Sequence, residues 1–168
     1  MSADPSLKHL TKPSLTIRRR FAAPPAKVYG AWTDPAKIAH WWGSETLYAE
    51  ADARVGGRYR IGMRTADGEQ HDVSGVYHQV VPNEKLVFSW AWRTTPERES
   101  LVTLTFRRDG DGTLFTLTHE QLFDGAARDR HQAGWNAGLD RLEKSLARPM
   151  EEADETTPGR QTTTFRGL

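Results

Sequence analysis

The sequence predicts an α+β fold. A curved antiparallel sheet of about six to seven strands carries two short helices after its first strand. One long C-terminal helix packs across the concave face and encloses a cavity. Three observations predict it. A single strand-like stretch leads straight into two proline-opened helical segments. Six further strand-like stretches follow, mostly separated by hairpin-length turns. The folded part then closes on one amphipathic run at helical spacing.

The first strand is SLTIRRRF (14–21). Pro24–Pro25 opens a short helix, because proline suits a first helical turn. Val28 and Trp32 share one face of it. Asp34–Pro35 starts a second short helix, with Asp34 as N-cap. This helix is predicted to carry Ile38, Trp41 and Trp42 and to stop at Gly43. The β region runs through LYAEADA (47–53), RYRIGMR (58–64), QHDVSGVYHQVV (70–81), KLVFSWAW (85–92), SLVTLTFRR (100–108) and TLFTLTHE (113–120). Gly56–Gly57, Ala66–Asp67–Gly68, Pro82–Asn83 and Asp109–Gly110–Asp111–Gly112 are the turns between them. Such links imply one antiparallel meander. The last element is RDRHQAGWNAGLDRLEKSLA (128–147), where His131, Trp135, Gly138, Leu139, Leu142 and Leu146 fall at i, i+3, i+4 spacing. Gly134 and Gly138 each weaken a helix by about 1 kcal/mol relative to alanine. Their presence predicts a close approach of this helix to the Phe88, Trp90, Trp92 face.

The chain has 168 residues, enough for one ordinary domain with a core of its own. Residues 1–12 read as a flexible arm, 13–149 as the single domain, and the polar, threonine-rich 150–168 as a disordered tail. There is no cysteine, hence no disulfide and no thiolate chemistry. MSADPSLKHL does not read as a signal peptide, and no run approaches the ~18 apolar residues of a membrane span. A cytoplasmic protein is expected. Twenty-three Lys and Arg against 22 Asp and Glu leave a formal charge of +1, which argues against nucleic acid or an anionic membrane as partner. Arg18–Arg19–Arg20 alternates along a strand and reads as a solvated strand edge.

Six tryptophans dominate the candidate residues. Side chains adjacent on a helix point about 100° apart. One of Trp41 and Trp42 is therefore expected in the core beside Ile38, the other at the rim. Phe88, Trp90 and Trp92, with Met63, Tyr77 and Phe106, read either as core under the long helix or as the wall of a pocket for a flat or acyl apolar ligand. His131, Trp135 and Gly138 supply the helix side of that pocket. His119 ends the last strand and His131 opens the helix, so both are expected near one mouth. Hydrogen bonding at that corner is the simpler role. With Tyr77 they are also the candidates for acid–base catalysis. The two histidines lack a third partner at metal-binding spacing, so no metal is expected. No cofactor is expected either: there is no phosphate-binding loop, dinucleotide fingerprint or nucleophile elbow. Glu50, Asp52, Glu69, Asp72 and Glu120 form no pair fixed by spacing, and Asp52 with Arg54 reads as a surface pair.

The chain resembles a known superfamily in FAAPPAKVYGAWTDPAKIAHWWG (21–43), DARVGGRYRIGMR (52–64), SGVYHQVVPNEKLVFSWAW (74–92), LTHEQL (117–122) and HQAGWNAGLDRLEKSL (131–146). In this order they are similar to the helix-grip superfamily of START lipid-transfer domains, polyketide cyclases and the birch-pollen allergen (SRPBCC). Within it they resemble the branch named for the C-terminal domain of the activator of the heat-shock-protein-90 ATPase. The resemblance implies the helix-grip fold. The helix-over-sheet architecture and the aromatic row point to a binding protein for a small hydrophobic ligand, lipid, polyketide-like or aromatic, held between helix and sheet. Two alternatives stand beside that binding role. One is a cyclase-, aromatase- or hydrolase-like enzyme using the same cavity, and the other a chaperone ATPase regulator, implied by the family name alone. Exposed edge strands leave monomer and homodimer both open.

Overall fold

The computed structural model describes residues 12–147. Apart from residue 12, the predicted arm and tail lie outside the described residues. The element order is β1 (Leu15–Phe21), α1 (Pro25–Thr33), α2 (Pro35–Ile38), β2 (Glu45–Ala51), β3 (Arg58–Arg64), β4 (Gln70–Val81), β5 (Lys85–Trp92), β6 (Ser100–Asp109), β7 (Gly112–Glu120) and α3 (Gly125–Ala147). The seven strands form one antiparallel sheet in the order β1-β7-β6-β5-β4-β3-β2. β2 to β7 are thus a plain meander. β1 joins it beside β7, from Leu15 opposite His119 to Phe21 opposite Thr113.

The β4–β5 ladder is locally irregular. No strict partners fall between Ser74–Ala91 and Tyr77–Phe88, and the register shifts by one residue between Tyr77 and Gln79. A side chain at Gly75, within the first unpaired stretch, would drive its Cβ into the Ser89 carbonyl oxygen. Glycine is therefore required for close backbone approach, as at many strand bends. The Val76 N–H donates to the Ser89 hydroxyl (2.9 Å), and the Tyr59 hydroxyl donates to the Ser89 carbonyl (2.7 Å). These bonds keep the buried polar groups of this stretch paired.

α3 begins three residues earlier than its apolar spacing predicts. The Asp124 carboxylate accepts from the Ala127 N–H (2.8 Å), an N-cap bond that lets the helix start through Gly125. Trp135, Gly138, Leu139, Leu142 and Leu146 face inward. Three long side chains fasten the helix. Arg19 of β1 donates to the Asp140 carboxylate (2.6 Å) and to the Asn136 carbonyl (3.2 Å). Lys27 of α1 donates to the Leu146 carbonyl (3.0 Å). Arg141 donates to the carbonyls of Trp41 and Trp42, both at 2.9 Å. The middle arginine of the predicted solvated run is thus a helix clamp, while Arg20 pairs with Asp109 at the surface. Hydrogen bonds from a charged group to buried carbonyls are individually worth more than neutral ones. Arg141→Met is accordingly expected to lower stability by about 2 kcal/mol, measured by urea unfolding.

Two sequence expectations fail here for physical reasons. α2 ends at Ile38, not Gly43, and both Trp41 and Trp42 N–H groups close a turn on the Ile38 carbonyl (3.2 and 3.1 Å). Off the helix, the 100° constraint lapses. Both indoles turn inward, with only 1% of Trp41 and 8% of Trp42 exposed, so neither is a rim residue. The α3 glycines also do not meet the Phe88, Trp90, Trp92 row. A Cβ at Gly138 would lie 3.7 Å from Trp41, an ordinary contact, and one at Gly134 would meet nothing within 4 Å. With open space and no packing to lose, Gly134→Ala is expected to raise stability by up to about 1 kcal/mol, visible as a higher thermal midpoint.

Candidate functional site

β5 points Leu86, Phe88, Trp90 and Trp92 at the concave face by strand alternation. Trp90 is the hub. Its ring lies 4.8 Å from Trp135 of α3, 5.8 Å from Trp42, 5.4 Å from Trp92 and 5.5 Å from His119, centroid to centroid. Trp32 extends the cluster, 4.7 Å from Trp41 and stacked on Phe115. Much of the space predicted as hollow is therefore occupied by indole rings.

The two histidines do converge, with ring centroids 5.0 Å apart. His119 is wholly buried. An indole N–H only donates, and Trp135 Nε1 lies 3.0 Å from His119 Nδ1, so Nδ1 is the acceptor. The ring proton is then on Nε2 and donates to the Ser100 hydroxyl (2.7 Å), which donates onward to the Trp90 carbonyl (3.3 Å). His131 repeats the pattern. Trp92 Nε1 donates to its Nε2 (2.9 Å), and its Nδ1–H donates to the Ala127 carbonyl (2.7 Å). Burial, aided by the neighbouring His131, pushes the His119 imidazole down to about 3. Burial also lowers His131, aided by Arg130 and opposed by its bond to Ala127. Both rings are neutral acceptors for an indole, with tautomers fixed by the bond each makes.

The remaining predicted residues fall into two groups. Met63 belongs to the histidine end. It pairs in register with Thr46 and His71, lies against Gly43, and is half-buried. His71 in turn lies 6.1 Å from Trp92. Tyr77 and Phe88 pack instead with Tyr59, at 5.7 and 5.2 Å. Phe106 packs with Tyr29 and Phe115, and Gly138 with Trp41. Burial drives the Tyr77 phenol well up, away from any acid–base role near neutrality. Tyr77 makes no contact with the histidine pair that would join them in one catalytic group. Sequence reasoning missed Ser100, Thr46 and Trp32. Ser100 was signalled by its phase, two residues before Val102 on the inward side of β6. Among the described residues no three His, Cys, Asp or Glu are placed to hold a metal ion, and no helix is long and apolar enough to cross a membrane.

Comparison with solved structures returns the same architecture. A protein from Chromobacterium violaceum is 27% identical, with 79% of this chain and 96% of that one covered at a TM-score of 0.71. The AHSA1 protein from Silicibacter pomeroyi is 30% identical over 80% of this chain and 98% of its own, with a TM-score of 0.69. CalU16 from Micromonospora echinospora is 29% identical over 82% and 78%, with a TM-score of 0.65. Comparison with curated proteins finds no match. The family model described as "Activator of Hsp90 ATPase homolog 1-like protein" matches residues 22–147, nearly the whole described fold, and the chain belongs to that family.

Proposed function

We propose that the chain is a cytoplasmic binding protein for a small hydrophobic molecule, taken up at the Trp92–His131 end of the interior. One observation carries this. The cluster of buried indoles ends at a bridged pair, Trp92 of β5 and His131 of α3, both only half-buried and joined by one hydrogen bond. An apolar wall with a few fixed polar groups is the usual chemistry of a ligand site. Met63 lies near this edge, and a thioether adapts readily to the shape of an apolar guest.

The enzymatic alternative draws less support from the same geometry. A general base needs a free lone pair. The lone pair of His119 is held by Trp135, and that of His131 by Trp92. The Ser100 hydroxyl accepts a hydrogen bond from His119 Nε2–H rather than donating one to the imidazole, the reverse of an activated nucleophile. Only the half-buried Trp92–His131 bond can open to water, so a hydrolase or cyclase step would have a single imidazole to work with and no second acid–base group beside it.

Native mass spectrometry of the freshly purified chain, beside a denatured control, tests the proposal. A co-purifying apolar mass lost on denaturation is the expected result. A bare protein whose tryptophan fluorescence also ignores a panel of lipids and polycyclic aromatics would overturn it.

A further inference from the structure

Three buried side-chain atoms among the described residues lack a hydrogen-bond partner: Trp32 Nε1, Thr46 Oγ1 and Trp90 Nε1. A buried donor without an acceptor forfeits its hydration for nothing, so native proteins keep few of them. Two of the three lie at the end just described. Thr46 shares a register row with Met63 and His71. Trp90 is only 4% exposed and is the hub of the cluster. Three other indoles of the cluster are served, while Trp32 Nε1 is not. Trp41 donates to the Ala31 carbonyl, Trp92 to His131 and Trp135 to His119. Both imidazole lone pairs beside Trp90 are therefore already taken, and the one donor at the centre of the cluster is left over.

We propose that the Trp90 indole N–H is the recognition donor of this site, and that the preferred ligand is a flat aromatic molecule carrying a neutral hydrogen-bond acceptor such as a ketone carbonyl. The inference rests on the binding function proposed above. Flatness follows from the walls: the rings of Trp42, Trp92 and Trp135 surround Trp90 and offer faces and edges for stacking. Neutrality follows from the burial, which penalises a charged acceptor far more than a carbonyl. Trp92 and His131 are the side chains that part to admit the ligand. Being half-exposed, each exchanges its mutual bond for one to water. The Trp135–His119 bond, fully buried, stays closed.

The test compares 9-fluorenone with fluorene, planar tricycles that differ by one carbonyl, on the full chain labelled with 15N-tryptophan. Fluorenone is expected to bind roughly tenfold more tightly than fluorene. It should also move the Trp90 Nε1–H resonance downfield, while fluorene does not. Trp90→Phe should bring the two affinities to within about twofold. If that variant fails to fold, the wild-type resonance alone decides the matter. Equal affinities with an unmoved Trp90 resonance would overturn this inference and leave hydrophobic binding standing. Binding of neither compound would overturn both.

Discussion

Trp41→Ala is expected to destabilise the fold by about 3–5 kcal/mol, the range for removing a large buried aromatic. The indole is 1% exposed and lies in edge contact with Trp32 and tilted against Trp42. It also covers Gly138 of α3, which has no side chain to collapse into the gap. The Ala31 carbonyl loses the bond it accepts from Trp41 Nε1 (2.9 Å), adding an unpaired buried acceptor to the cavity term. For a domain of this size each kcal/mol shifts the thermal midpoint by about 2–4 °C, so a fall of roughly 10–15 °C is expected. Urea unfolding checks it through a lower midpoint at an unchanged slope. A loss below about 1 kcal/mol would show that α1, the α2 turn and α3 are not locked together through this ring.

Acid should unfold the protein earlier than its carboxylates alone require. An unfolded His119 titrates near its ordinary 6.5, while the folded one is held at about 3 by burial and by His131. The folded state refuses a proton that the unfolded chain accepts. The contribution is therefore complete above pH 6.5 and is lost as pH falls toward 3, at ~1.4 kcal/mol per pH unit. At pH 5 the loss from this one group is roughly 2 kcal/mol. His131, also lowered, acts in the same direction. Asp67 and Asp72 are lowered from 3.8 and contribute only as pH approaches and passes below that value. The interval between pH 6.5 and about 4 is thus the histidines' own. Urea midpoints across it should slope steeply for the wild type, and His119→Gln should flatten the slope by about one proton. An unchanged slope in that variant would place the acid sensitivity elsewhere.

The strands were legible because their faces differ. RYRIGMR, QHDVSGVYHQVV and KLVFSWAW fall on β3, β4 and β5 to the residue, since alternation and turn residues agree there. The short helices were less legible. Ile38, Trp41 and Trp42 keep helical spacing, yet the backbone leaves the helix at Ile38, and apolar residues in a turn look the same in sequence as those on a helix face. The convergence of His119 and His131 followed from the short link between β7 and α3. Their neutral tautomers did not, because these depend on Trp135 and Trp92, which only the fold brings alongside. Tyr77 shared the inward phase of the site but sits against Tyr59 and Phe88, and phase along a strand gives depth across the sheet no coordinate.

The pairing of β1 with β7 sets the order in which this protein can assemble. Every neighbour pair from β2 to β7 is a local hairpin, whereas Leu15 and His119 must meet across a loop of about a hundred residues. Such a closure is entropically slow until the intervening chain has already collapsed. The meander should therefore form first, leaving β7 as an open edge with its backbone donors and acceptors unpaired. β1 seals that edge only when it arrives, and Arg19 then clips the strand to Asn136 and Asp140 of α3. Until that moment β7 is a ready template for a strand from another molecule. Aggregation during refolding should depend on how fast β1 docks, more than on how stable the finished fold is.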